Sequence, residues 1–202
     1  MQKKSEDTDD KKKIKIVVIG GPNVGKTSII NRFVSHQFNS FNSPTIQLAM
    51  TTFEYKLEDQ IFTLLICDTA GQEQFQSVCP NFYRDAQGAI IVFDITDRKS
   101  FDKMQDWVNE LNASLTEPIP IVIAGNKVDL EENRVIQLDE AVEYSDQSDI
   151  NYFETSALSD FGIDNLFSSL VSQIISKEGD SPDETVNNVN LASPSSPKSS
   201  CC

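Results

Sequence analysis

Apolar positions along this chain alternate between two periods. Lys15 to Ile19 forms an apolar run closed by Gly20, and Ile29, Ile30, Phe33 and Val34 then recur at the spacing of one helix face. Alternation from Met50 to Leu57, a polar break at Glu58, Asp59 and Gln60, and an apolar run from Phe62 to Ile66 predict an antiparallel hairpin. Ala89 to Phe93 and Ile119 to Ala124 read as buried strands, and Tyr152 with Phe153 as a short one. Amphipathic helices lie between and after them. One carries Phe101, Met104, Trp107, Val108, Leu111 and Leu115 on one face, and another spans Ala141 and Tyr144. The last carries Ile163, Leu166, Phe167, Leu170, Val171, Ile174 and Ile175, a stripe read as facing a core rather than a membrane surface. No internal repeat interrupts the pattern.

Strands separated by helices need crossover connections, which build a mostly parallel sheet covered on both faces. The expected class is therefore α/β, with ligands bound beyond the C-terminal ends of the strands. Residues 1–13 are a mixed run of Lys, Asp and Glu without an apolar stretch, read as a flexible charged segment and not a secretory signal. Residues 14–176 form the expected folded body. From Lys177 onward Ser, Asn, Asp and Pro dominate without periodicity, which predicts a disordered tail over 177–202.

Composition narrows the partners. A hydrophobic fraction of 39% and a charged fraction of 24% are ordinary for a soluble domain. The formal net charge of -14 argues against broad binding to nucleic acid, and against electrostatics alone holding the chain on an anionic membrane. Cys67, Cys79, Cys201 and Cys202 show no pattern of a disulfide scaffold, so a reducing cytosol is expected.

The chemistry lies in short strings that each follow a predicted strand. Gly20-Gly21-Pro22-Asn23-Val24-Gly25-Lys26-Thr27 fits G-x-x-x-x-G-K-S/T, whose backbone N–H groups wrap a polyphosphate at a helix start. Lys26 is placed for the β- and γ-phosphates, Thr27 for a Mg2+ that bridges them, and Ser28 for the nucleotide alongside. A merely solvated Lys26 would leave the surrounding glycines without purpose. Asp68-Thr69-Ala70-Gly71-Gln72-Glu73 follows an apolar strand, where a bare carboxylate at Asp68 is costly unless a metal or its water shell compensates it. Gly71 can bring a backbone N–H to the γ-phosphate, and the neutral amide of Gln72 can orient a water for in-line attack, the catalytic role. Asn126-Lys127-Val128-Asp129 reads the base: a carboxylate at Asp129 accepts two N–H bonds from guanine, which adenine cannot supply. Ser156 and Ala157, in Glu154-Thr155-Ser156-Ala157, add backbone donors toward the guanine oxygen, with Leu158 next in line. Phe38 is a further candidate for packing on the base.

These strings occur in the order found in the Ras superfamily, which the chain resembles. Phe82-Tyr83-Arg84-Asp85-Ala86, the stretch from Gly88 to Thr96, and the pair Cys201-Cys202 resemble the Rab GTPases in particular. The resemblance covers residues 14 to about 176 and the last two residues. It implies a three-layer P-loop G domain: a six-stranded, mostly parallel sheet with one antiparallel edge strand and helices on both faces. It also implies that Thr45, in Pro44-Thr45-Ile46, is the switch threonine that joins Mg2+ and senses the γ-phosphate. Ile46, Met50, Cys67 and Phe82 correspond to the effector surface. Cys201 and Cys202 correspond to cysteines carrying geranylgeranyl groups, two of which anchor stably where one is marginal.

Implied partners are an exchange factor, a GTPase-activating protein, a GDP-dissociation inhibitor or escort protein, and effectors that bind the GTP form. Thr45 to Met50, Ser77 to Pro80 and Trp107 to Leu111 look most like endocytic Rabs, implying the cytosolic face of endosomal vesicles. Several positions depart from the family pattern: Pro22 lacks a loop N–H, Met50 and Cys67 replace Phe and Trp, Gln74 replaces Arg, and Leu158 replaces Lys. Pro22 raises the alternative of a module that holds GTP constitutively, and intact Gln72 argues against it. A kinase or ATPase sharing only the phosphate loop is disfavoured by Asn126 and Asp129.

Overall fold

The computed structural model describes residues 11–39, 49–68 and 84–179. Within them lie β1 (Lys13–Gly20), α1 (Lys26–Ser35), β2 (Ala49–Leu57), β3 (Gln60–Asp68), β4 (Gly88–Asp94), α2 (Arg98–Ser114), β5 (Ile121–Asn126), a 3-10 helix (Val128–Asn133), α3 (Leu138–Ser148), β6 (Asn151–Thr155) and α4 (Ile163–Gly179). The strands form a six-stranded sheet in the order β2-β3-β1-β4-β5-β6. β2 runs antiparallel to β3 and every other neighbouring pair is parallel, as the sequence leads one to expect.

The reason is in the connections. β2 and β3 are joined through Glu58 and Asp59, with Leu57 opposite Gln60, and so short a turn permits only an antiparallel return. Glu58 adopts the left-handed conformation there, φ 54°. Where the connecting residues are described, helical crossovers return the chain in the same direction, α2 between β4 and β5 and α3 between β5 and β6. β5 starts at Ile121 rather than at the expected Ile119, because Pro120 has no N–H to give to the ladder. The 3-10 helix carries little apolar periodicity and was not predicted. α4 continues to Gly179, past the boundary expected at 176.

Strand alternation sorts the core into two layers. Ile14, Ile16 and Val18 of β1 pack with Ile29, Ile30 and Phe33 of α1 and with Leu166, Phe167 and Leu170 of α4. Val17 and Ile19 face the other way, toward Phe101, Met104 and Leu111 of α2 and Ala141 of α3. β4 and β5 are buried along their whole length, which explains why they read as unbroken apolar runs. The stripe on α4 faces the core, as expected. Among the described residues no helix is long and apolar enough to cross a membrane.

Phe33 stacks on Phe167 with ring centroids 3.7 Å apart and planes 7° from parallel, and Phe53 meets Phe33 edge-on at 5.1 Å. Burying one such ring is worth roughly 1.5–3 kcal/mol. An exposed ion pair such as Lys11 with Glu54, at 2.7 Å, contributes at most about 1 kcal/mol. Apolar packing therefore holds α1 against the sheet, and α1 in turn positions the loop that precedes it.

Register then brings the motifs together. Val18 lies opposite Asp68, Gly20 opposite Val92, Asp94 opposite Asn126, and Asn126 opposite Thr155. The strings that are far apart in sequence thus emerge along one edge of the sheet, at the C-terminal ends of its parallel strands.

Candidate functional site

The loop from β1 to α1 turns on glycines. Gly25 is the N-cap of α1 in a left-handed conformation, φ 98°, and a Cβ there would sit 2.3 Å from the Asn126 amide nitrogen. A Cβ on Gly20 would stand 2.3 Å from the Val92 carbonyl oxygen. The backbone can therefore pass close to β4 and β5 only with glycine at these places. No side chain caps the N-terminus of α1, so the helix start presents its N–H end and positive dipole to the loop. Asn23 is left-handed at φ 61°, and both Asn23 and Pro22 are exposed. Val24, by contrast, is buried.

Lys26 curls back over this loop. Its Nζ donates to the carbonyl oxygens of Gly20 at 2.9 Å and Gly21 at 2.8 Å, and the side chain is buried. Burial pushes the Lys26 ammonium down to about 8, against the nearby Asp68 carboxylate, which holds it up. Thr27 Oγ1 donates to Asp68 Oδ2 at 2.5 Å. The other oxygen, Asp68 Oδ1, is buried without a hydrogen-bond partner among the described residues. Burial pushes the Asp68 carboxyl up, while the Thr27 hydroxyl and Lys26 hold it down.

An unsatisfied buried charged group costs at least about 1–3 kcal/mol. A Thr hydroxyl beside a carboxylate with one open oxygen is a pair of hard donors, the kind Mg2+ uses when phosphates and waters complete its shell. Thr27 and Asp68 thus fit that ion, and Lys26 fits a polyphosphate beside it.

At the other end of the site, Asn126 is 1% exposed and joins three segments. Its Nδ2 donates to the Val24 carbonyl at 2.8 Å and its Oδ1 accepts from the Thr155 hydroxyl at 3.2 Å. Lys127 is left-handed, φ 70°, and its Nζ pairs with Asp94 Oδ2 at 2.6 Å. The other Asp94 oxygen accepts from the Thr96 N–H at 2.9 Å and hydroxyl at 2.7 Å. Asp129, in the 3-10 helix, accepts from the Ser156 hydroxyl at 2.5 Å, and Ser156 Oγ accepts from the Ser159 N–H at 3.1 Å. Ser156 and Ala157 are buried. A carboxylate held in this way can receive paired N–H donors from a planar base.

The structure brings together Gly20, Val24, Gly25, Lys26, Thr27, Asp68, Asn126 and Thr155. Lys127, Asp129, Ser156 and Ala157 extend the same edge. Thr45, Ile46, Gly71, Gln72, Phe82, Cys201 and Cys202 lie outside the described residues. Phe38 stands 36% exposed shortly beyond α1, and Leu158 is 52% exposed.

Two of the four positions matched to an effector surface, Met50 and Cys67, lie among the described residues. Met50 is 61% exposed, as a surface position should be, but Cys67 opposite it is 2% exposed and belongs to the core. The two share a face of the sheet, yet β2 is the edge strand while β3 is flanked by β1, so only the inner residue is covered. Sequence reasoning also missed Arg32, Asp94 and Thr155. Thr155 and Asp94 lie inside quoted strings, whereas Arg32 is one of several polar residues on α1, beside Asn31, and carries no local signal.

The sequence model of the Ras family matches residues 15–176. The chain is 40% identical over 161 residues to the Ras-related protein Rab-21 of Bos taurus, covering 80% of this chain and 72% of the relative. The Homo sapiens protein of the same name matches to the same extent, and that of Mus musculus is 39% identical over the same length. The chain therefore belongs to the Ras family of GTPases, in its Rab branch.

Proposed function

We propose that this chain is a guanine-nucleotide switch that directs vesicle traffic on endosomal membranes. The observation that carries the reading is the 2.8 Å bond from Asn126 Nδ2 to the Val24 carbonyl. It ties the loop that bears Asp129 to the loop that bears Lys26, so one ligand with a base and a polyphosphate can span both. Gly20, Asn23, Val24, Gly25, Lys26 and Ser28 cradle the phosphates; Pro22 contributes no N–H. Thr27, Thr45 and Asp68 hold Mg2+, which when bound neutralises charge on the β- and γ-oxygens. Asp129 accepts from the guanine edge, Lys127 braces the loop through Asp94, and Ser156, Ala157, Leu158 and Phe38 complete the base site. Gln72 orients the attacking water. Loss of the γ-phosphate removes the contacts of Thr45 and Gly71, and the segments holding them relax.

The G domain expected over 14–176 ends in α4, which runs on to Gly179, and the chain after it is a tail whose Cys201 and Cys202 carry geranylgeranyl groups. An exchange factor, a GTPase-activating protein, a GDP-dissociation inhibitor or escort protein, and GTP-dependent effectors act on it, the effectors through Ile46, Met50 and Phe82. The endosomal assignment is supported by the likeness of the Thr45 to Met50 segment to endocytic Rabs. Chromatography of the nucleotide released by denaturing the purified protein tests the switch reading. GDP or GTP is expected; an adenine nucleotide instead would sink it.

From Lys177 at the end of α4 onward, Lys177 and Lys198 stand against Glu178, Asp180, Asp183 and Glu184, so no polybasic patch assists the lipid. Cys201→Ser together with Cys202→Ser is expected to leave the protein wholly in the cytosolic fraction, and either single change to leave weak, reversible attachment. Fractionation of cells expressing each variant checks this, and salt should have little effect on the parent. A double variant still pelleting with membranes would show that a protein contact holds it.

A further inference from the structure

Arg32 sits on α1, and among the described residues none of its side-chain hydrogen bonds goes to the phosphate loop that precedes its helix. Its guanidinium instead reaches across to residues more than a hundred positions later. Nε donates to the Ala157 carbonyl at 2.8 Å, Nη2 to the Leu158 carbonyl at 3.0 Å, and Nη1 to the His36 carbonyl at 2.7 Å. His36 is the left-handed C-cap of α1, so one side chain closes the helix end and grips the loop after β6. Arg suits this use because its planar fork offers several donors in fixed directions, which an ammonium does not.

The consequence follows from peptide planarity. In a trans peptide the C=O of one residue and the N–H of the next point in opposite directions. Holding the Leu158 carbonyl therefore fixes the Ser159 N–H, which donates to Ser156 Oγ at 3.1 Å. Ser156 Oγ in turn donates to Asp129 Oδ1 at 2.5 Å. Holding the Ala157 carbonyl likewise fixes the Leu158 N–H on the side away from Arg32. A continuous chain of oriented groups thus runs from the end of α1 to the Asp129 carboxylate.

We infer that Arg32 is a positioning residue for guanine recognition: through the Leu158–Ser159 peptide and Ser156 it aims the Asp129 carboxylate at the base. The inference rests on the reading of Asp129 as the guanine contact. It predicts a specificity effect as well as a change in retention. Hypoxanthine lacks the 2-amino group of guanine, so a mis-aimed Asp129 loses more with GDP than with inosine diphosphate.

The test measures release of labelled GDP and of labelled inosine diphosphate from the full chain, chased with excess unlabelled GDP. Arg32→Gln should release GDP about tenfold faster, the worth of one charge-assisted hydrogen bond. Inosine diphosphate should be released only slightly faster, so the discrimination between the two falls. Arg32→Lys, which can reach one carbonyl, should fall between. Ser156→Ala cuts the same chain at a later link and should lower the discrimination too, with the double variant no worse than the poorer single one. Equal acceleration of both nucleotides by Arg32→Gln would make Arg32 a purely structural tether and overturn the inference. If Arg32→Gln does not fold, an unchanged discrimination in Ser156→Ala overturns it. Asp129→Ala separates the two levels: discrimination that survives there overturns the base reading itself, and the inference with it.

Discussion

Asp129→Ala is expected to weaken GDP binding about a thousandfold. The carboxylate would accept two N–H bonds from guanine, each charge-assisted and worth roughly 2 kcal/mol, and alanine leaves both donors facing an apolar methyl. The Ser156 hydroxyl, which donates to Asp129 at 2.5 Å, loses its acceptor as well. Equilibrium dialysis of labelled GDP against the nucleotide-free variant gives the value. Affinity within tenfold of the parent would show that Asp129 does not touch the base. Binding of an adenine nucleotide should stay weak in both proteins, because removing a guanine acceptor creates no complement to adenine.

Gln72→Leu is expected to leave GTP affinity near that of the parent and to slow single-turnover hydrolysis by about a hundredfold, within the range for removing a group that positions a reactant. Leucine has the bulk of glutamine but cannot hold a water in line with the γ-phosphate. Rapid-quench measurement of GTP consumption at saturating Mg2+ separates this from a binding defect. Unchanged hydrolysis would remove Gln72 from catalysis. The same measurement on the parent bears on Pro22. A parent inert even with a GTPase-activating protein would favour the constitutive binding module, and Pro22→Gly would then be the variant to restore turnover.

The elements and the chemistry of the site were largely legible in the residue order, for local physical reasons. Fully buried strands such as β4 and β5 must be apolar at every position, so they announce themselves as runs. A phosphate loop needs glycine where the backbone is left-handed or crowded, as at Gly25, and needs Lys26 and Thr27 directly after it, so its spacing survives in one dimension. The antiparallel pairing of β2 with β3 was equally readable, because a short polar break between two apolar stretches has few other solutions.

What tertiary structure decided is everything that depends on which surface another element covers. Met50 and Cys67 read alike in sequence, yet the sheet order exposes one at the edge and buries the other beside β1. The sequence already marked Asp68 as a carboxylate in need of a metal, but only packing set Thr27 on one of its oxygens and buried the other without a partner among the described residues. Arg32 gave no sign at all, since its partners are backbone carbonyls that any residue supplies and that lie far along the chain. Local pattern records what a residue needs from its immediate neighbours. Contacts to a distant backbone leave no such record, and only the packing of α1 beside the loop after β6 brings this one about.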